Sequence, residues 1–510
     1  MRLSELLKAI NVNDVLGTGK ASDPEIVSIH YRADQVQPGG LFVAIPGFKA
    51  DGHDYIDQAL DRGAAAVIIE KPVQKEAILV KVDNARKALS GIAAKFFLHP
   101  SEKLTVIGIT GTNGKTTTSY LIESMLLQSK IRCGVIGTIN YRFADRIFDN
   151  PMTTPESADL HEILSEMSDE GVTHVVMEAS SHAIDLHRIR NIRIRIGVFT
   201  NLSQDHLDYH GDMASYWACK KRLFTESLDT SRKTEPAFAV INCLNKEGDD
   251  LRKILEAQEV KPEIVTIGTP DRHQVSAVEA NFNLDGINGL IKTPVGNFEF
   301  RSSLAGRFNL DNILCATGAG LAIGLPLSAI AKGIETFTRV PGRLEPVENH
   351  SGRFVFVDYA HTPDALENVL STLRSLTSGR LICVFGCGGD RDRSKRPMMG
   401  KIAGRYSDLS IITSDNPRTE NPMAIIEEIV SGIKKVAVLA DFETGEYGRG
   451  YVIEPDRKKA IEAGISMSSS GDTVLIAGKG HETYQIIGAE KFPFDDRVVA
   501  EKILKKISGI

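Results

Sequence analysis

The segment GTNGKTT, residues 111–117, combines residue types that bind phosphate groups. It lies between an apolar run that predicts a strand and a segment that predicts a helix. Glycines let backbone N–H groups turn toward phosphate oxygens, and the start of a helix adds a positive dipole. The strict phosphate-loop pattern would have glycine at position 109, where this chain has Ile109. The segment therefore predicts a variant nucleotide-binding loop, in which Lys115 contacts the β/γ-phosphates and Thr116 ligates magnesium.

Acidic and histidine side chains follow two further predicted strands. Glu178 closes the run THVVMEAS, and a carboxylate at a strand end beside a phosphate loop is a usual way to hold hydrated Mg²⁺. The segment NLSQDHLDYHG also follows a strand, and it carries Asp205, His206, Asp208 and His210. A lone histidine is more often structural, and the clustering favours a functional role.

Lys220 has an unusual position in the helical segment SYWACKKRLFTESL. It shares a helical face with Tyr216, Trp217, Leu223 and Phe224, so its side chain is directed toward apolar surroundings. One interpretation is a lysine whose stem is packed and whose ammonium reaches water. The other is a desolvated lysine with a lowered pKa, nucleophilic enough to be modified.

An arginine lies in the segment SDNPRTENP, residues 414–422, directly after an apolar run. Asn-Pro suits a turn, because asparagine side chains bond their own backbone and proline fixes φ. The turn itself does not need Arg418. Taken alone, the segment is best interpreted as a solvated turn after a strand.

The elements that position these residues alternate between strands and helices, which predicts an α/β protein with parallel sheets covered by helices. Residues 22–82 read as a small α/β domain. HPSEK, residues 99–103, and RVPGRLEP, residues 339–346, have the composition of interdomain joints. Beyond the second joint, RFVFVDYA, RLICVFGCGG, DLSIITSDNP and DTVLIAGKG predict strands that end in polar or Gly-rich loops. Ligands bind beyond the carboxyl ends of such strands.

Composition limits the function classes. A chain of 510 residues is longer than one hydrophobic core usually organises, so two to four domains are expected. The net charge of −6 and the absence of a basic block argue against nucleic-acid binding. No apolar run approaches the ~18 residues of a membrane span, and MRLSELLKAI is unlike a signal peptide, so a cytoplasmic location without membrane insertion is expected. The six cysteines form no metal or disulfide pattern and are expected to be free thiols.

Ten ordered segments together resemble the Mur ligases, the ATP-dependent amide-bond formers of peptidoglycan precursor synthesis. These segments, which span nearly the whole chain, are GTNGKTT, TTPE, MEASSHAIDLHRI, NLSQDHLDYH, FNLDN, PGRLE, VDYAHTPDAL, GCGGDRDRSKRP, SDNPR and GKGHE. Within the family, the resemblance is closest to the members that add the third amino acid to UDP-MurNAc-L-Ala-D-Glu.

The resemblance implies a domain organisation and a reaction. The implied domains are an N-terminal UDP-MurNAc-binding domain (1–98), a central P-loop ATPase with a parallel-rich sheet (99–340) and a C-terminal Rossmann-like domain that binds the amino acid (341–510). The implied enzyme is an ADP-forming ligase that acts through an acyl phosphate, uses ATP and Mg²⁺, and supports cell-wall growth and division. A monomer is the default expectation.

The resemblance also implies roles for individual residues. The ATP-binding residues would be Gly111, Thr112, Asn113, Gly114, Lys115, Thr116, Thr117, Asn309, Asn312, Arg343 and Asp358. The magnesium-binding and catalytic residues would be Thr116, Glu178, His206 and Lys220 as a carbamate, with Lys115 also catalytic. The UDP-MurNAc-dipeptide would contact Ala33, Phe48, Lys49, Ala50, Thr153, Thr154, Ser180, Leu186, Arg188 and Lys220. Arg343 and Asp358 would be brought in by domain closure.

The sequence departs from the family pattern at two places. A uridine-binding Asp-Ser-Arg appears here as Arg32-Ala33-Asp34, and a glutamine before the His-Arg pair is Leu186. Phe48, Lys49 and Ala50 would face the nucleotide, or they are only loop residues.

Arg418 bears on the choice of amino acid. Family members add meso-diaminopimelate or L-lysine, and only diaminopimelate carries a distal carboxylate that a guanidinium binds bidentately. Arg418 lies where the diaminopimelate-adding members bind that carboxylate. The diaminopimelate-binding residues would be Arg391, Asp415, Asn416, Pro417, Arg418, Gly478 and Glu482.

Three alternatives stay open on the sequence. Two are related ligases, namely the lysine-adding enzyme and the folylpolyglutamate or cyanophycin synthetases. The third is a P-loop ATPase with a mechanical or regulatory role, which would give no reason for DNPR and GKGHE at strand ends.

Overall fold

The structure is a computed structural model that describes residues 1–18, 22–48, 50–229, 235–440 and 449–508. The chain forms two compact units. The first contains residues 1–111, 129–199 and 214–265, and the second contains residues 112–128, 200–213 and 266–510. The boundaries of the three predicted domains stay a prediction.

Helices and strands alternate along much of the chain. The α-helices in the described ranges are α1 (Leu3–Leu7), α2 (Ile56–Asp61), α3 (Ala85–Phe96), α4 (Lys115–Gln128), α5 (Ser157–Asp169), α6 (Ser181–Asp185), α7 (Leu207–His210), α8 (Met213–Arg222), α9 (Lys246–Glu256), α10 (Arg307–Ile323), α11 (Leu327–Thr336), α12 (Pro363–Leu376), α13 (Lys395–Tyr406), α14 (Pro422–Ile433), α15 (Arg457–Ser466) and α16 (Asp496–Ser508). The first strands are β1 (Asp14–Leu16), β2 (Ile29–His30), β3 (Leu41–Val43), β4 (Ala66–Ile69), β5 (Leu79–Lys81), β6 (Thr105–Thr110), β7 (Cys133–Ile136), β8 (Asn140–Phe143), β9 (Arg146–Asp149), β10 (His174–Glu178), β11 (Ile194–Phe199), β12 (Phe238–Asn242) and β13 (Glu263–Gly268). The remaining strands are β14 (Val275–Asn283), β15 (Gly286–Thr293), β16 (Gly296–Ser302), β17 (Glu345–Pro346), β18 (Phe354–Asp358), β19 (Leu381–Phe385), β20 (Leu409–Ile412), β21 (Val438–Leu439), β22 (Gly450–Ile453), β23 (Thr473–Ala477), β24 (Tyr484–Ile487) and β25 (Glu490–Pro493).

The first unit begins with a five-stranded sheet in the order β1-β5-β4-β3-β2. Strands β2 to β5 pair in parallel, and β1 pairs antiparallel with β5. Leu41 and Val43 pack into the core on one face of the sheet, whereas Phe42 packs into the core on the other. Strands buried on both faces read as continuous apolar runs, which is why this small α/β region was predicted from sequence.

The first unit also contains a sheet in which β12, β11, β6, β10 and β7 are neighbours in that order and pair in parallel. The hairpin strands β8 and β9 extend it in antiparallel fashion. Strand β6, which precedes the phosphate loop, is therefore central. Its neighbours β10 and β11 end at the same edge.

The second unit contains a seven-stranded sheet in the order β17-β18-β23-β19-β20-β22-β21. All neighbours pair in parallel except β17, which is antiparallel to β18. Helices α12, α13 and α14 pack into the core on one face, and α15 and α16 pack into the core on the other. This confirms the α/β prediction and the four strands predicted for this region.

Helix α4 packs against α10 and α11 within the second unit. At Gly333 of α11, a Cβ atom would lie 2.6 Å from Cα of Met125 in α4. Glycine thus allows the two helices to approach closely, and Oγ of Ser124 donates to the carbonyl oxygen of Gly333 at 2.8 Å. The helix that carries Lys115 is held by this packing.

Two expectations from composition concern membrane-spanning helices and the state of the cysteines. Among the described helices, none combines the length and the apolar character needed to cross a membrane. All six cysteines lie within the described ranges and are free thiols, as predicted.

Candidate active site

The phosphate loop occupies residues 111–114, between the end of β6 and the start of α4. Gly114 has φ +85°, and a Cβ atom there would lie 2.1 Å from Oδ1 of Asn312. Only glycine fits this position. Nζ of Lys115, the first residue of α4, donates to the carbonyl oxygen of Thr112 at 2.8 Å. The predicted order of strand, loop and helix is confirmed.

A second segment, residues 200–203, which we call the bracing loop, holds the phosphate loop through neutral hydrogen bonds. The Asn113 N–H donates to Oδ1 of Asn201 at 2.9 Å, and the Asn113 carbonyl oxygen accepts from Oγ1 of Thr200 at 2.7 Å. Oγ1 of Thr112 accepts from the Ser203 N–H at 3.0 Å. The bracing loop therefore fixes the backbone of residues 112 and 113.

His206 follows the bracing loop and precedes α7. Its φ of +54° is uncommon for a residue other than glycine. Its Nε2 lies 3.4 Å from Oδ2 of Asp205, and its side chain is nearly half exposed. Asp208 and His210 belong to α7 itself, so the predicted cluster occupies one short stretch of chain.

Glu178 ends β10 with a buried carboxylate. Its Oε1 accepts from the Thr138 N–H at 3.0 Å, and its Oε2 accepts from Oγ1 of Thr138 at 2.9 Å. A Cβ atom at Gly137 would lie 2.4 Å from Oε1, so the preceding glycine makes room for the carboxylate. The orientation of Glu178 is thus set by backbone and hydroxyl groups.

The predicted muramyl-dipeptide residues of the central sheet are brought together around the end of β10. Oγ1 of Thr154 donates to the Glu178 carbonyl oxygen at 2.7 Å and accepts from the Ser180 N–H at 3.2 Å. Oγ1 of Thr153 lies 3.1 Å from Oγ1 of Thr138. Nη1 of Arg188 donates to the Thr154 carbonyl oxygen at 3.0 Å.

Glu156 was not predicted. Its Oε1 accepts from Nε of Arg188 and from Nη1 of Arg86 in α3, each at 2.9 Å. The sequence offered only its place in the TTPE motif.

Lys220 lies in α8 and is 1% exposed. Its Nζ donates to the Gly111 carbonyl oxygen at 2.8 Å and lies 4.5 Å from the centroid of the Tyr216 ring. The prediction of an apolar face is confirmed, and the interpretation with a water-exposed ammonium is wrong. Lys221 is only partly buried, so Lys220 is the buried member of the pair.

Two predicted ATP-binding asparagines lie at the start of α10 and are buried. Nδ2 of Asn309 donates to the Ala305 carbonyl oxygen at 2.8 Å, and Nδ2 of Asn312 donates to Oδ1 of Asn309 at 3.0 Å. Asn312 also lies against Gly114 of the phosphate loop. Between them, burial raises the pKa of Asp311 to about 6, with Arg307 opposing the shift.

Arg343 and Asp358 lie near each other in the second unit. The Arg343 guanidinium carbon lies 4.6 Å from the centroid of the Tyr359 ring. The buried Asp358 carboxylate accepts from the N–H groups of Leu344 and Ala360 at 2.6 and 2.7 Å. Burial raises the pKa of Asp358, while the Arg343 charge and the two hydrogen bonds lower it.

Asp364, in the first turn of α12, reaches the phosphate loop and was not predicted. Its Oδ2 accepts from Nδ2 of Asn113 at 3.1 Å and from Oγ of Ser203 at 2.7 Å. These bonds join the VDYAHTPDAL motif to the phosphate loop and the bracing loop.

The predicted amino-acid residues lie on loops after β19, β20 and β23, which are neighbours in the sheet. Arg391 follows β19 and is exposed. Arg418 follows β20, and its Nη1 donates to the Gly389 carbonyl oxygen at 2.7 Å. Its Nε and Nη2 make no hydrogen bond within the described part of the chain, so one edge of the guanidinium is available to a ligand.

The hairpin β24–β25 fixes the backbone of Arg418. The Arg418 N–H donates to the Ile486 carbonyl oxygen at 3.1 Å, and the Gly488 N–H donates to the Arg418 carbonyl oxygen at 2.8 Å. Arg418 has φ +51°, a conformation that needs such support in a residue other than glycine. The hairpin was missed because its residues lie some seventy positions from the arginine.

The other predicted residues of this region surround a buried lysine. Pro417 is buried, and a Cβ atom at Gly478, whose φ is +115°, would lie 2.9 Å from Oδ2 of Asp415. Nδ2 of Asn416 donates to Oε2 of Glu482 at 2.8 Å. Lys479, which was not predicted, contacts three of these side chains and is described below.

The predicted uridine-binding residues lie in the N-terminal part of the first unit. Ala33 is buried in the core beside the five-stranded sheet, Phe48 is 77% exposed and Ala50 is exposed. Lys49 lies outside the described residues. Leu186 caps the C-terminus of α6 and is half-buried.

Three family models match the chain. One, described as the Mur ligase family, catalytic domain, matches residues 25–97. A second, described as the Mur ligase middle domain, matches residues 109–320. A third, described as the Mur ligase, glutamate ligase domain, matches residues 342–480.

Curated relatives match along the whole chain. A protein of Geobacter metallireducens named UDP-N-acetylmuramoyl-L-alanyl-D-glutamate–2,6-diaminopimelate ligase is 48% identical over 515 residues, covering 100% of this chain and 99% of the relative. A protein of the same name from Geobacillus thermodenitrificans is 41% identical over 488 residues, covering 96% of each.

Solved structures share the fold. One titled as a UDP-N-acetylmuramoyl-L-alanyl-D-glutamate–2,6-diaminopimelate ligase has a TM-score of 0.69, 31% identity and full coverage of both chains. A MurF ligase from Thermotoga maritima in complex with ADP has a TM-score of 0.62 and 19% identity, covering 94% of this chain and 98% of the other.

Proposed function

The chain belongs to the Mur ligase family, and from this premise we propose that it adds meso-diaminopimelate to UDP-MurNAc-L-Ala-D-Glu with cleavage of ATP to ADP and phosphate. The observation that carries the proposal is the 48% identity, along the entire chain, to a relative named for this activity. The family membership makes the protein an ATP-dependent ligase of peptidoglycan precursor synthesis.

The reaction has two steps. In the first, a carboxylate oxygen of the D-Glu unit attacks the γ-phosphorus of ATP, and the bond between that phosphorus and the ADP oxygen breaks. In the second, the amine of diaminopimelate attacks the carbonyl carbon of the acyl phosphate, phosphate leaves, and the nitrogen loses a proton. Positioning and charge stabilisation supply most of the catalysis in such transfers.

The phosphate loop supplies the first of these. Its shape is supported by Gly114 and by the bracing loop, and Lys115 at the start of α4 would contact the β/γ-phosphates. Asn309, Asn312, Arg343 and Asp358 would bind the rest of the nucleotide.

Magnesium fits the donor types in the chain. We assign it to Thr116, Glu178, His206 and Lys220 as a carbamate; the buried Glu178 carboxylate and a carbamate are the hard oxygen donors that Mg²⁺ prefers. When bound, the ion would neutralise charge on the transferring phosphoryl group. The carbamate would form by attack of the neutral Lys220 amine on CO₂ with loss of a proton, which turns a buried cation into an anion.

Thr153, Thr154, Ser180, Leu186 and Arg188 would hold the muramyl dipeptide. The contacts among Thr154, Ser180 and Arg188 support a single binding surface at the end of β10. Ala33, Phe48, Lys49 and Ala50 would lie toward the uridine nucleotide in the N-terminal domain, for which we propose the boundaries 1–98, 99–340 and 341–510. We further propose a cytoplasmic location, since the reaction uses ATP, and a monomer as the default state.

Arg418 supports diaminopimelate over lysine. Its free guanidinium edge suits the distal carboxylate, whereas lysine would bring an unaccompanied ammonium toward a positive charge. Asn416 would help to fix the distal carboxylate, Arg391 would bind the other carboxylate, and Gly478 and Glu482 would bind the distal ammonium.

The test is ADP release with UDP-MurNAc-L-Ala-D-Glu and each amino acid in turn. We expect ADP release that requires both the UDP substrate and meso-diaminopimelate, and that stops when a chelator removes magnesium. A preference for L-lysine would assign the chain to the lysine-adding ligases. ADP release that is independent of the UDP substrate would overturn the ligase assignment in favour of a plain ATPase.

A further inference from the structure

We propose that Lys479 is a positioning residue of the amino-acid site, whose buried ammonium orients Glu482, directly and through the Asn416 amide, toward the distal ammonium of the incoming amino acid. This inference rests on the proposed function and adds to it a residue that does not itself touch the substrate.

Lys479 is fully buried, at 0% exposure, among polar side chains. Its Nζ donates to Oδ1 of Asn416 at 3.1 Å and to Oε2 of Glu482 at 3.0 Å. It also lies 3.7 Å from Oδ1 of Asp415 and 5.7 Å from the centroid of the Tyr484 ring. Two of the three ammonium donors are thus used in hydrogen bonds, and the Asp415 carboxylate lies beyond hydrogen-bond distance as an ion-pair partner.

The lysine determines how the Asn416 amide is turned. Oδ1 of Asn416 accepts from Lys479 and from the Ile486 N–H at 2.9 Å, so its NH₂ group faces Glu482. Oε2 of Glu482 then accepts from both Asn416 and Lys479. Oε1 of Glu482 accepts from no described residue, which leaves it for a ligand cation.

The charges of the cluster match a substrate with one distal ammonium. Asp415 and Glu482 are two carboxylates, and Lys479 neutralises one of them. The neighbouring Arg457 and Asp496 form a fully buried ion pair that adds no net charge. Other titratable neighbours include Tyr359, Tyr484, Arg418 and Arg497, of which Arg497 is paired with Asp495. Burial together with Arg343, Arg497 and Lys479 lowers the pKa of His481 to about 4, so it is neutral. Among Asp415, Glu482 and Lys479, one negative charge is therefore left for the ligand.

A lysine that only stabilises the fold would give a different result from a positioning lysine. Its removal would lower the melting temperature and affect all three substrates alike. A positioning lysine affects the KM for the diamino acid selectively, and its effect requires Glu482.

The experiment compares Lys479→Met, Glu482→Gln and the double variant, with Lys458→Met as a control for loss of an exposed lysine in the same unit. We expect Lys479→Met to raise the KM for meso-diaminopimelate at least about tenfold, because a buried charge loses its partner. The KM values for ATP and for the UDP substrate should stay within about twofold. The preference for diaminopimelate over 2-aminopimelate, which lacks the distal amine, should fall by a similar factor.

The double variant tests whether Lys479 acts through Glu482. We expect its KM for diaminopimelate to equal that of Glu482→Gln within about threefold, since coupled residues are not additive. A further tenfold rise would show that Lys479 acts independently and would overturn the proposal. Lys479→Met alone leaves a buried carboxylate without its cation and can fail to fold. In that case the double variant, which removes both charges, is compared with Glu482→Gln, and the two KM values for diaminopimelate decide the question.

Failure of this inference is distinguishable from failure of the proposed function. If wild-type ADP release does not depend on diaminopimelate, both fall. If it does, and Lys479→Met leaves the KM for diaminopimelate unchanged, only the positioning role is refuted.

Discussion

The phosphate loop and the proposed amino-acid site are held in place by different forces. Thr112 and Asn113 are fixed by backbone, amide and hydroxyl groups of the bracing loop, and charge enters at Lys115 and at Asp364. In the proposed amino-acid site, the ammonium of Lys479 lies beside the Asp415 and Glu482 carboxylates. Arg418 lies on the same loop as Asp415.

The difference follows from what each region is proposed to recognise. A nucleotide brings its own negative charge to a surface of N–H groups. A neutral loop presents those groups without a side-chain charge that would compete with them for the phosphates. Diaminopimelate is distinguished from lysine only by its distal carboxylate, so a site that selects it needs an excess of defined charge. We therefore expect charge changes to impair the phosphate loop mainly at Lys115. In the proposed amino-acid site, charge changes should impair binding at several positions.

Lys115→Ala should have the largest effect, because it removes the main positive charge from an otherwise neutral phosphate loop. We expect kcat for ADP release to fall on the order of 10³-fold, as when a group that stabilises developing charge is removed. Measured thermal stability should change little. A fall of less than about tenfold would mean that the neutral framework supplies most of the phosphate binding.

Arg418→Ala should have the next largest effect, confined to the charged region. We expect the KM for meso-diaminopimelate to rise roughly 100-fold, because a distal carboxylate would be left unpaired. Arg405→Ala, which removes an exposed arginine of α13, serves as the control. Unchanged diaminopimelate kinetics would remove Arg418 from the site.

Gly114→Ala tests the neutral framework by shape alone. The added Cβ would approach Oδ1 of Asn312, so we expect the KM for ATP to rise about tenfold while that for diaminopimelate is unchanged. Gly324→Ala is the matched control, since Gly324 has φ +90° with no atom within 4 Å of a built Cβ. Equal effects of both variants on the KM for ATP would contradict a local clash.

Asp364→Asn should have the smallest effect. It keeps an acceptor for Asn113 and Ser203 but removes the charge, which weakens the two bonds by about 1 kcal/mol in total, or roughly fivefold in the KM for ATP. Steady-state kinetics at fixed diaminopimelate would measure it. An effect as large as that of Lys115→Ala would show that charge dominates the framework after all.

Local patterns predicted the parts of the site that one segment can specify. The phosphate loop, Glu178 at the end of β10 and the apolar face of Lys220 each follow from a strand end or from helical spacing. Arg418 gained its interpretation from the family resemblance, because an Asn-Pro turn does not explain an arginine.

The parts that the sequence did not reveal depend on distant contacts. Asn113 meets Asp364 across 251 positions, and Lys479 meets Asn416 across 63. No local period distinguishes these residues from exposed ones. Lys479 lies between two glycines in GKGHE, a pattern that indicates a surface loop. Only the order of strands in the sheet shows that it lies against the loop that follows β20.

The support of Arg418 by the hairpin β24–β25 has a consequence for how substrate range can change. The hairpin meets the arginine through its main chain, at Ile486 and Gly488, so the identity of most of its side chains is free to vary. Its length is not free, because inserting or deleting a residue near the turn would shift both main-chain contacts and redirect the guanidinium. Engineering or evolution of the accepted amino acid can therefore act through hairpin length while every residue that touches the substrate is retained.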